Sequence, residues 1–216
     1  MKPTGIDTNC VVLHGHVCKP PVFSHQNHEV EFYSFSMIVS RLSGAADQMN
    51  VIAPKGLLEQ VSWLERDDEL TVRGEVRTFN NRSGVGNRLV ISVFAKELVI
   101  EQGEDENQLL LTGTLCKQPS VRSTPLGRSI CDMILAVNRR YGRADYLPCI
   151  AWGSLAHRCG EMQVGTPLCL EGRLQSRTYT KNMGDYSEER MAFEVSIMNL
   201  MDAKRDLCVA ASCIGK

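Results

Sequence analysis

The chain has 216 residues, 43% of them hydrophobic and 23% charged, with a net charge of −1 at neutral pH. That supplies one large core or two cores of about 100 residues each. No apolar run approaches the roughly 18 residues needed to span a bilayer, and Met1-Lys2-Pro3-Thr4-Gly5-Ile6-Asp7 lacks the apolar core of a secretory signal, so a cytoplasmic protein without membrane contact is expected.

In chain order, the first expected strand carries Val11, Leu13, Gly15 and Val17 on one face, with a central glycine of the kind found where a strand bends or another backbone approaches. A second strand covers Phe32 to Arg41 and a third Met49 to Ala53. Leu57, Val61 and Leu64 then recur at helical spacing, predicting one short amphipathic helix. A fourth strand, Leu70 to Val76, and a fifth, Ile91 to Leu98, complete the set, with Gly84-Val85-Gly86 as the turn between them. Residues 102–108, Gln-Gly-Glu-Asp-Glu-Asn-Gln, are acidic and without apolar periodicity, and read as a solvated linker.

After the linker the pattern starts again. Leu109, Leu111, Gly113 and Leu115 answer the first strand, Ile130 to Arg139 the second, Leu147 to Ala151 the third, Leu155, Cys159 and Met162 the helix, Leu168 to Leu174 the fourth strand, and Phe193 to Leu200 the fifth. Gly113 follows Gly15 by 98 residues, and the offset grows to 102 by the fifth strand, which puts a four-residue insertion in the loop between Gly172 and Leu200. The predicted division is residues 9–101, linker 102–108, residues 109–202 and a tail 203–216. Five strands with a helix between the third and fourth is the order of an OB-fold, so the fold class is all-β with one short helix per domain: two tandem five-stranded OB barrels.

The charge is unevenly divided. Residues 107–200 hold 11 Lys/Arg against 8 Asp/Glu, and residues 10–106 hold 9 against 14, so an anionic ligand should prefer the second copy. In its fourth strand Leu168, Leu170 and Leu174 share the core parity, which turns Arg173, Arg177 and Tyr179 outward together. Cations beside a ring suit the phosphates and unstacked bases of a single strand, and they also suit an ordinary solvated face. Tyr146, Ile150 and Trp152 share one parity of the third strand, and Leu147, Cys149 and Ala151 the other; both sets are apolar, so parity leaves open whether Trp152 is buried.

The nine cysteines are odd in number and include no Cys-x-x-Cys pair, so they read as small buried hydrophobes in a reducing compartment, with neither cross-link nor metal expected at Cys208 and Cys213. His14, His16, His25 and His28 have no carboxylate or cysteine at ligand spacing, so no metal and no cofactor are expected. No Ser/His/Asp or Cys/His arrangement stands out, and the chain does not read as an enzyme.

Four blocks of the second copy are Pro119-Ser120-Val121-Arg122-Ser123-Thr124-Pro125-Leu126-Gly127, Leu135-Ala136-Val137-Asn138-Arg139-Arg140, Trp152-Gly153-Ser154-Leu155-Ala156 and Leu170-Glu171-Gly172-Arg173-Leu174-Gln175-Ser176-Arg177. In that order and spacing they resemble the bacterial single-stranded-DNA-binding protein family. The resemblance implies that Tyr146, Trp152 and Tyr179, with Tyr141 in the adjoining loop, are the stacking rings. Phosphate contacts are then expected from Arg122, Arg139, Arg140, Arg173 and Arg177. It also implies four barrels acting together, which a homodimer of this chain would supply. The expected function is sequence-independent binding and protection of single-stranded DNA in replication, recombination or repair.

The first copy is depleted at the corresponding positions, where Ser43, Gln48, Pro54 and Asn81 stand, and retains Phe79, Arg73, Arg77 and Arg82 as a secondary set. Family members end in an acidic-hydrophobic peptide that recruits replication and repair proteins, whereas this chain ends Cys213-Ile214-Gly215-Lys216. Two alternatives stay open: an architectural or protein-interaction OB module, and a primosome-type accessory protein with weak or no DNA binding.

Overall fold

The computed structural model describes residues 9–81, 87–139, 142–182 and 187–201. Arg82, Arg140, Tyr141, the turn at Gly84-Val85-Gly86, Cys208, Cys213 and the tail 203–216 lie outside the described residues.

The described chain forms β1 (Asn9–Asn27), β2 (Val30–Ser40), β3 (Ala46–Pro54), α1 (Lys55–Gln60), β4 (Glu69–Asn80) and β5 (Leu89–Ile100). It continues as β6 (Glu106–Leu115), β7 (Ser120–Ser123), β8 (Ser129–Asn138), β9 (Ala144–Trp152), α2 (Ser154–Gly160), β10 (Pro167–Asn182) and β11 (Ser187–Met201). Two compact units result. One gathers Val11–Asn107 with Leu174–Phe193, and the other gathers Met1–Cys10, Gln108–Arg173 and Glu194–Lys216. The units therefore do not follow the repeat boundaries: the outer halves of β10 and β11 belong with the first barrel.

In the first barrel the strands run β2-β3-β5-β4-β1 and β1 returns to β2, closing the ring. β1 achieves this by pairing along one stretch with β4, Leu13 opposite Val72 and Gly15 opposite Leu70, and along another with β2, Val17 opposite Met37. The second barrel closes the same way through β6-β10-β11-β9-β8 and the β6–β8 pairing. Its registers copy the first: Leu111 faces Leu170, Leu135 faces Leu147, and Val195 runs parallel beside Cys149 as Val93 does beside Val51. The expected single first strand is divided in this copy into β6 and β7, where the first copy has one 19-residue strand interrupted by register shifts.

The turn of β1 past β2 explains the repeated glycines. A methyl group on Gly15 would strike the Ile38 carbonyl oxygen, and one on Gly113 would press on the Ala136 carbonyl oxygen and the Leu135 side chain. Side chains of matching position fill both interiors: Leu13 and Leu111, Met37 and Leu135, Met49 and Leu147, Val72 and Leu170 are all buried. Each such burial contributes about 1.5–3 kcal/mol.

The helices are shorter than their apolar spacing suggests. α1 has six residues and buries Leu58, with Leu64 buried beyond its end, where the spacing pointed to Leu57, Val61 and Leu64 on one face. Ser62 and Trp63 both take left-handed backbone angles, and Trp63 N–H donates to Leu58 O at 2.7 Å, which ends the helix before another turn forms. α2 likewise buries Ala156 and Cys159, while Leu155 and Met162 are half-buried.

Each barrel also repeats one ion pair. Arg41 holds Asp47 through Nε at 2.6 Å, and 98 residues on Arg139 holds Asp145 through Nε at 2.5 Å; a second guanidinium nitrogen contacts each carboxylate. Both aspartates are buried, at 1% and 0% exposure. A carboxylate removed from water persists as an ion only when paired and hydrogen-bonded, so these pairs fix the start of β3 and β9 against the end of β2 and β8.

His14, one of the histidines weighed as a ligand, is buried and structural. Its Nδ1 pairs with Thr71 Oγ1 at 2.9 Å and its Nε2 with Glu69 Oε1 at 3.2 Å. Glu69 also accepts the Gly103 N–H at 3.0 Å, and that amide, followed by His14, holds its carboxyl below the usual carboxylate range. The segment read as a solvated linker is exposed up to Asp105 and tethered there, since the Ser40 N–H donates to Asp105. Burial pushes the Cys159 thiol up to about 11 and the Cys149 thiol higher still, so neither forms a thiolate at neutral pH.

Gly15→Ala is expected to lose about 1–3 kcal/mol in urea unfolding, because a carbonyl oxygen occupies the space a methyl needs. Gly56→Ala in α1, where nothing lies within 4 Å, should instead be neutral or gain about 0.5–1 kcal/mol.

Candidate nucleic-acid interface

β9 carries the first two rings of the expected platform. Its alternation sends Leu147, Cys149 and Ala151 into the second barrel and turns Tyr146, Pro148, Ile150 and Trp152 to the outer face. Tyr146 is 54% exposed and Trp152 40%, while Ile150 between them is 4% exposed, so two accessible rings flank a covered aliphatic floor. Trp152 is therefore not a core residue, a point that strand parity leaves open. β8 lies alongside with Ala136 opposite Tyr146 and Ile130 opposite Trp152, and between them Asp132 stands opposite Ile150.

The expected cations divide into several environments. Arg122 reaches Asp132 through Nε at 2.5 Å across the β7–β8 hairpin, and both side chains are about half exposed, at 54% and 44%. The Arg139 guanidinium is committed to buried Asp145 and only 21% exposed. Arg173 is half-buried on the outer parity of β10.

Arg177 and Tyr179 fall in the compact unit of the first barrel, whereas Tyr146, Trp152, Arg122, Arg139 and Arg173 fall in the other. The Arg177 guanidinium carbon lies 6.0 Å from the Tyr179 ring centroid, at the outer limit of a cation–π contact. The Tyr179 hydroxyl donates to Asn87 Oδ1 at 3.3 Å.

Two cations near the exposed rings escape sequence reasoning. Arg128, exposed, precedes Ser129, whose carbonyl accepts the Gly153 N–H at 2.9 Å directly beside Trp152. Arg143, also exposed, immediately precedes the strand that carries Tyr146, its carbonyl accepting the Arg139 N–H at 2.7 Å. Only the pairing of β8 with β9 brings Arg128 near Trp152; no motif marks it.

In the first barrel Gln48 and Pro54 stand half-buried where the second has its rings. The secondary cations are paired: Arg77 with Glu75, which also meets Lys96, and Arg73 with Glu97 at 3.6 Å. Phe79 is 39% exposed at the end of β4. This barrel has rings of its own elsewhere. His25 stacks on Phe32 at 4.9 Å and 13°, Phe32 tilts against Phe94 at 5.6 Å, and Tyr33 meets Phe23 and Trp63 edge-on. Sequence alignment of the copies does not find these, because their partners are set by the β1–β2 pairing.

Among the described residues no group of three or more His, Cys, Asp or Glu side chains could hold a metal ion, and no described helix is long and apolar enough to cross a membrane.

A family model described as the single-strand binding protein family matches residues 106–201. Single-stranded DNA-binding protein B of Bacillus subtilis is 33% identical over 102 residues, covering 43% of this chain and 90% of that protein. This chain belongs to the single-strand binding protein family. The single-stranded DNA-binding protein of Thermus aquaticus is 37% identical over 173 residues, covering 75% of this chain and 64% of that protein. Its crystal structure overlays with a TM-score of 0.74 at 22% identity, covering 90% of this chain and 92% of that one, a likeness of fold. The chain spans about half the length of several other relatives that it matches.

The two ion pairs of the second barrel should respond differently to mutation. Arg139→Ala leaves Asp145 in the interior without its guanidinium and is expected to cost about 3–5 kcal/mol of stability. Arg122→Ala, at an exposed pair, should cost no more than about 1 kcal/mol. Urea titration followed by circular dichroism reads both.

Proposed function

We propose that this protein binds single-stranded DNA without regard to sequence, coating and protecting it in replication, recombination or repair, with the second barrel as the main platform. The observation that carries this reading is the exposure of Tyr146 and Trp152 on one outer strand face, beside the exposed cations Arg128 and Arg143. An isolated strand offers unstacked bases, each with a π-face, and a phosphate at every step. Rings separated along a strand and cations at its ends meet both needs. Each stacked base contributes about 1–3 kcal/mol, and no hydrogen-bond code is required, so every sequence is accepted.

Arg122 exchanges its carboxylate partner for phosphate at little cost, since both groups already face solvent. Arg139 contributes by holding β9 in place. Tyr179, Arg177 and Arg173 supply further stacking and phosphate contacts, as do Tyr141 and Arg140. The first barrel contributes less, through Phe79, Arg73, Arg77 and Arg82. The relatives' names favour this reading over an architectural module. Two copies of the chain would supply four barrels.

Titration with oligo-dT should quench tryptophan fluorescence through Trp152, so Trp152→Phe loses most of the signal while Trp63→Phe keeps it. Trp152→Ala is expected to weaken binding by about 1–3 kcal/mol. Log affinity should fall with log salt by about 0.7 per phosphate contact. Absence of any quench or band shift at low salt would overturn the function, and parent-like binding by Trp152→Ala would overturn the site. Sedimentation equilibrium should give twice the chain mass; a monomer at micromolar concentration would refute the dimer.

A further inference from the structure

The first barrel keeps the fold of the second but not its rings, and the contacts of Ser176 show what stands at the vacated position. The Ser176 N–H donates to Asp47 Oδ1 at 2.8 Å, and the Gln48 N–H donates to Ser176 Oγ at 2.9 Å. Gln48 is the counterpart of Tyr146, 98 residues earlier. The start of β3, which in the second copy displays a ring, is in the first copy covered by the chain's own β10.

The same segment is held at further points. Asn107 pairs with the backbone of Leu174 as another strand would, its Nδ2 donating to Leu174 O at 2.6 Å and its Oδ1 accepting the Leu174 N–H at 3.0 Å. Asn87 accepts the Tyr179 hydroxyl and donates through Nδ2 to the Met191 carbonyl on β11. All these residues belong to one compact unit. Asp47 is at once the buried partner of Arg41 and the acceptor for Ser176, so the hairpin is anchored on an already rigid group.

We propose that the first barrel is an intramolecular dock that positions the β10–β11 hairpin for ligand, with Asp47, Asn87, Asn107 and Ser176 as positioning residues for Arg177 and Tyr179. This inference rests on the proposed binding of single-stranded DNA. Physically, a two-stranded ribbon that extends beyond its barrel is marginal in water by itself. Fixing its backbone at Leu174 and Ser176 and its ring at Tyr179 removes the ordering cost that a loose hairpin would incur on binding. At the position where the second copy displays Tyr146, the first copy holds the Gln48 backbone amide against Ser176.

The test uses the full chain with Ser176→Ala, Ser176→Thr, Asn107→Ala, Asn87→Ala and Tyr179→Phe, each checked for an unchanged unfolding midpoint. Hydrogen exchange should quicken across residues 174–180 in Asn107→Ala and Ser176→Ala, and recover in Ser176→Thr, which keeps the acceptor. Affinity for oligo-dT should fall about threefold to tenfold in Asn87→Ala and Asn107→Ala. Tyr179→Phe retains the ring and loses only the bond to Asn87, so it should weaken binding no more than Asn87→Ala, which also gives up the Met191 bond, and the double variant should be no weaker than Asn87→Ala. Unaltered exchange, or altered exchange with parental affinity, or additive losses in the double variant, would overturn the proposal. Failure of the parent itself to bind oligo-dT at low salt would instead sink the proposed function, while exchange still decides the docking.

Discussion

One strand pairing along both of its edges is the constraint on which each barrel depends. β1 meets β4 through Val11–His16 and β2 through the residues that follow, and the ring closes only because the chain turns from one partner to the other within a few residues. That turn brings the backbone of Gly15 against Ile38, and Gly113 repeats the approach against Ala136. Closure removes free sheet edges from the ring and sorts alternate side chains into an interior and an outer face. The outer face can then carry function without cost to the core, because every second residue is already excluded from it.

The buried Arg–Asp pairs show how one structural device serves two ends. Asp47 and Asp145 occupy the same place in the two barrels, with the same arginine partner and the same burial. Beyond them the copies part. After Asp145 the chain presents Tyr146 to solvent; after Asp47 it presents the Gln48 amide to Ser176. An ion pair that cannot move gives the next residue a fixed direction, and a fixed direction is useful to a stacking ring and to a docking bond alike. Divergence changed what stands on the anchor and left the anchor intact.

Much of the fold is legible in the order of residues alone. The 98-residue repeat, the alternation of the strands and the helix between the third and fourth give strand order and core, since these are local or near-local patterns in which apolar side chains must share a face. Helix length is not legible in this way, because apolar residues continue in phase past Gln60 and only the left-handed backbone at Ser62 and Trp63 stops the helix. For the site, the ring positions follow from family resemblance, but their exposure does not: Tyr146, Ile150 and Trp152 share one parity, and two are open while the third is covered. Arginine is the least legible type. In sequence Arg122 and Arg139 look equivalent, yet one pairs with a solvated carboxylate and the other with a carboxylate sealed in the interior.

The sequence by itself determined the duplication, the two closed barrels and the bias of rings and cations toward the second copy. These follow from which residues repeat at which spacing, and spacing is a property of the chain. Only the tertiary structure decided that β10 and β11 continue into the unit of the first barrel, that Ser176 meets Asp47 and Gln48 across some 129 residues of chain, and that Arg128 stands by Trp152. Each hydrogen bond among those contacts has a backbone amide as donor, a group that nearly every residue possesses, and joins residues remote in sequence, so no side-chain pattern announces it.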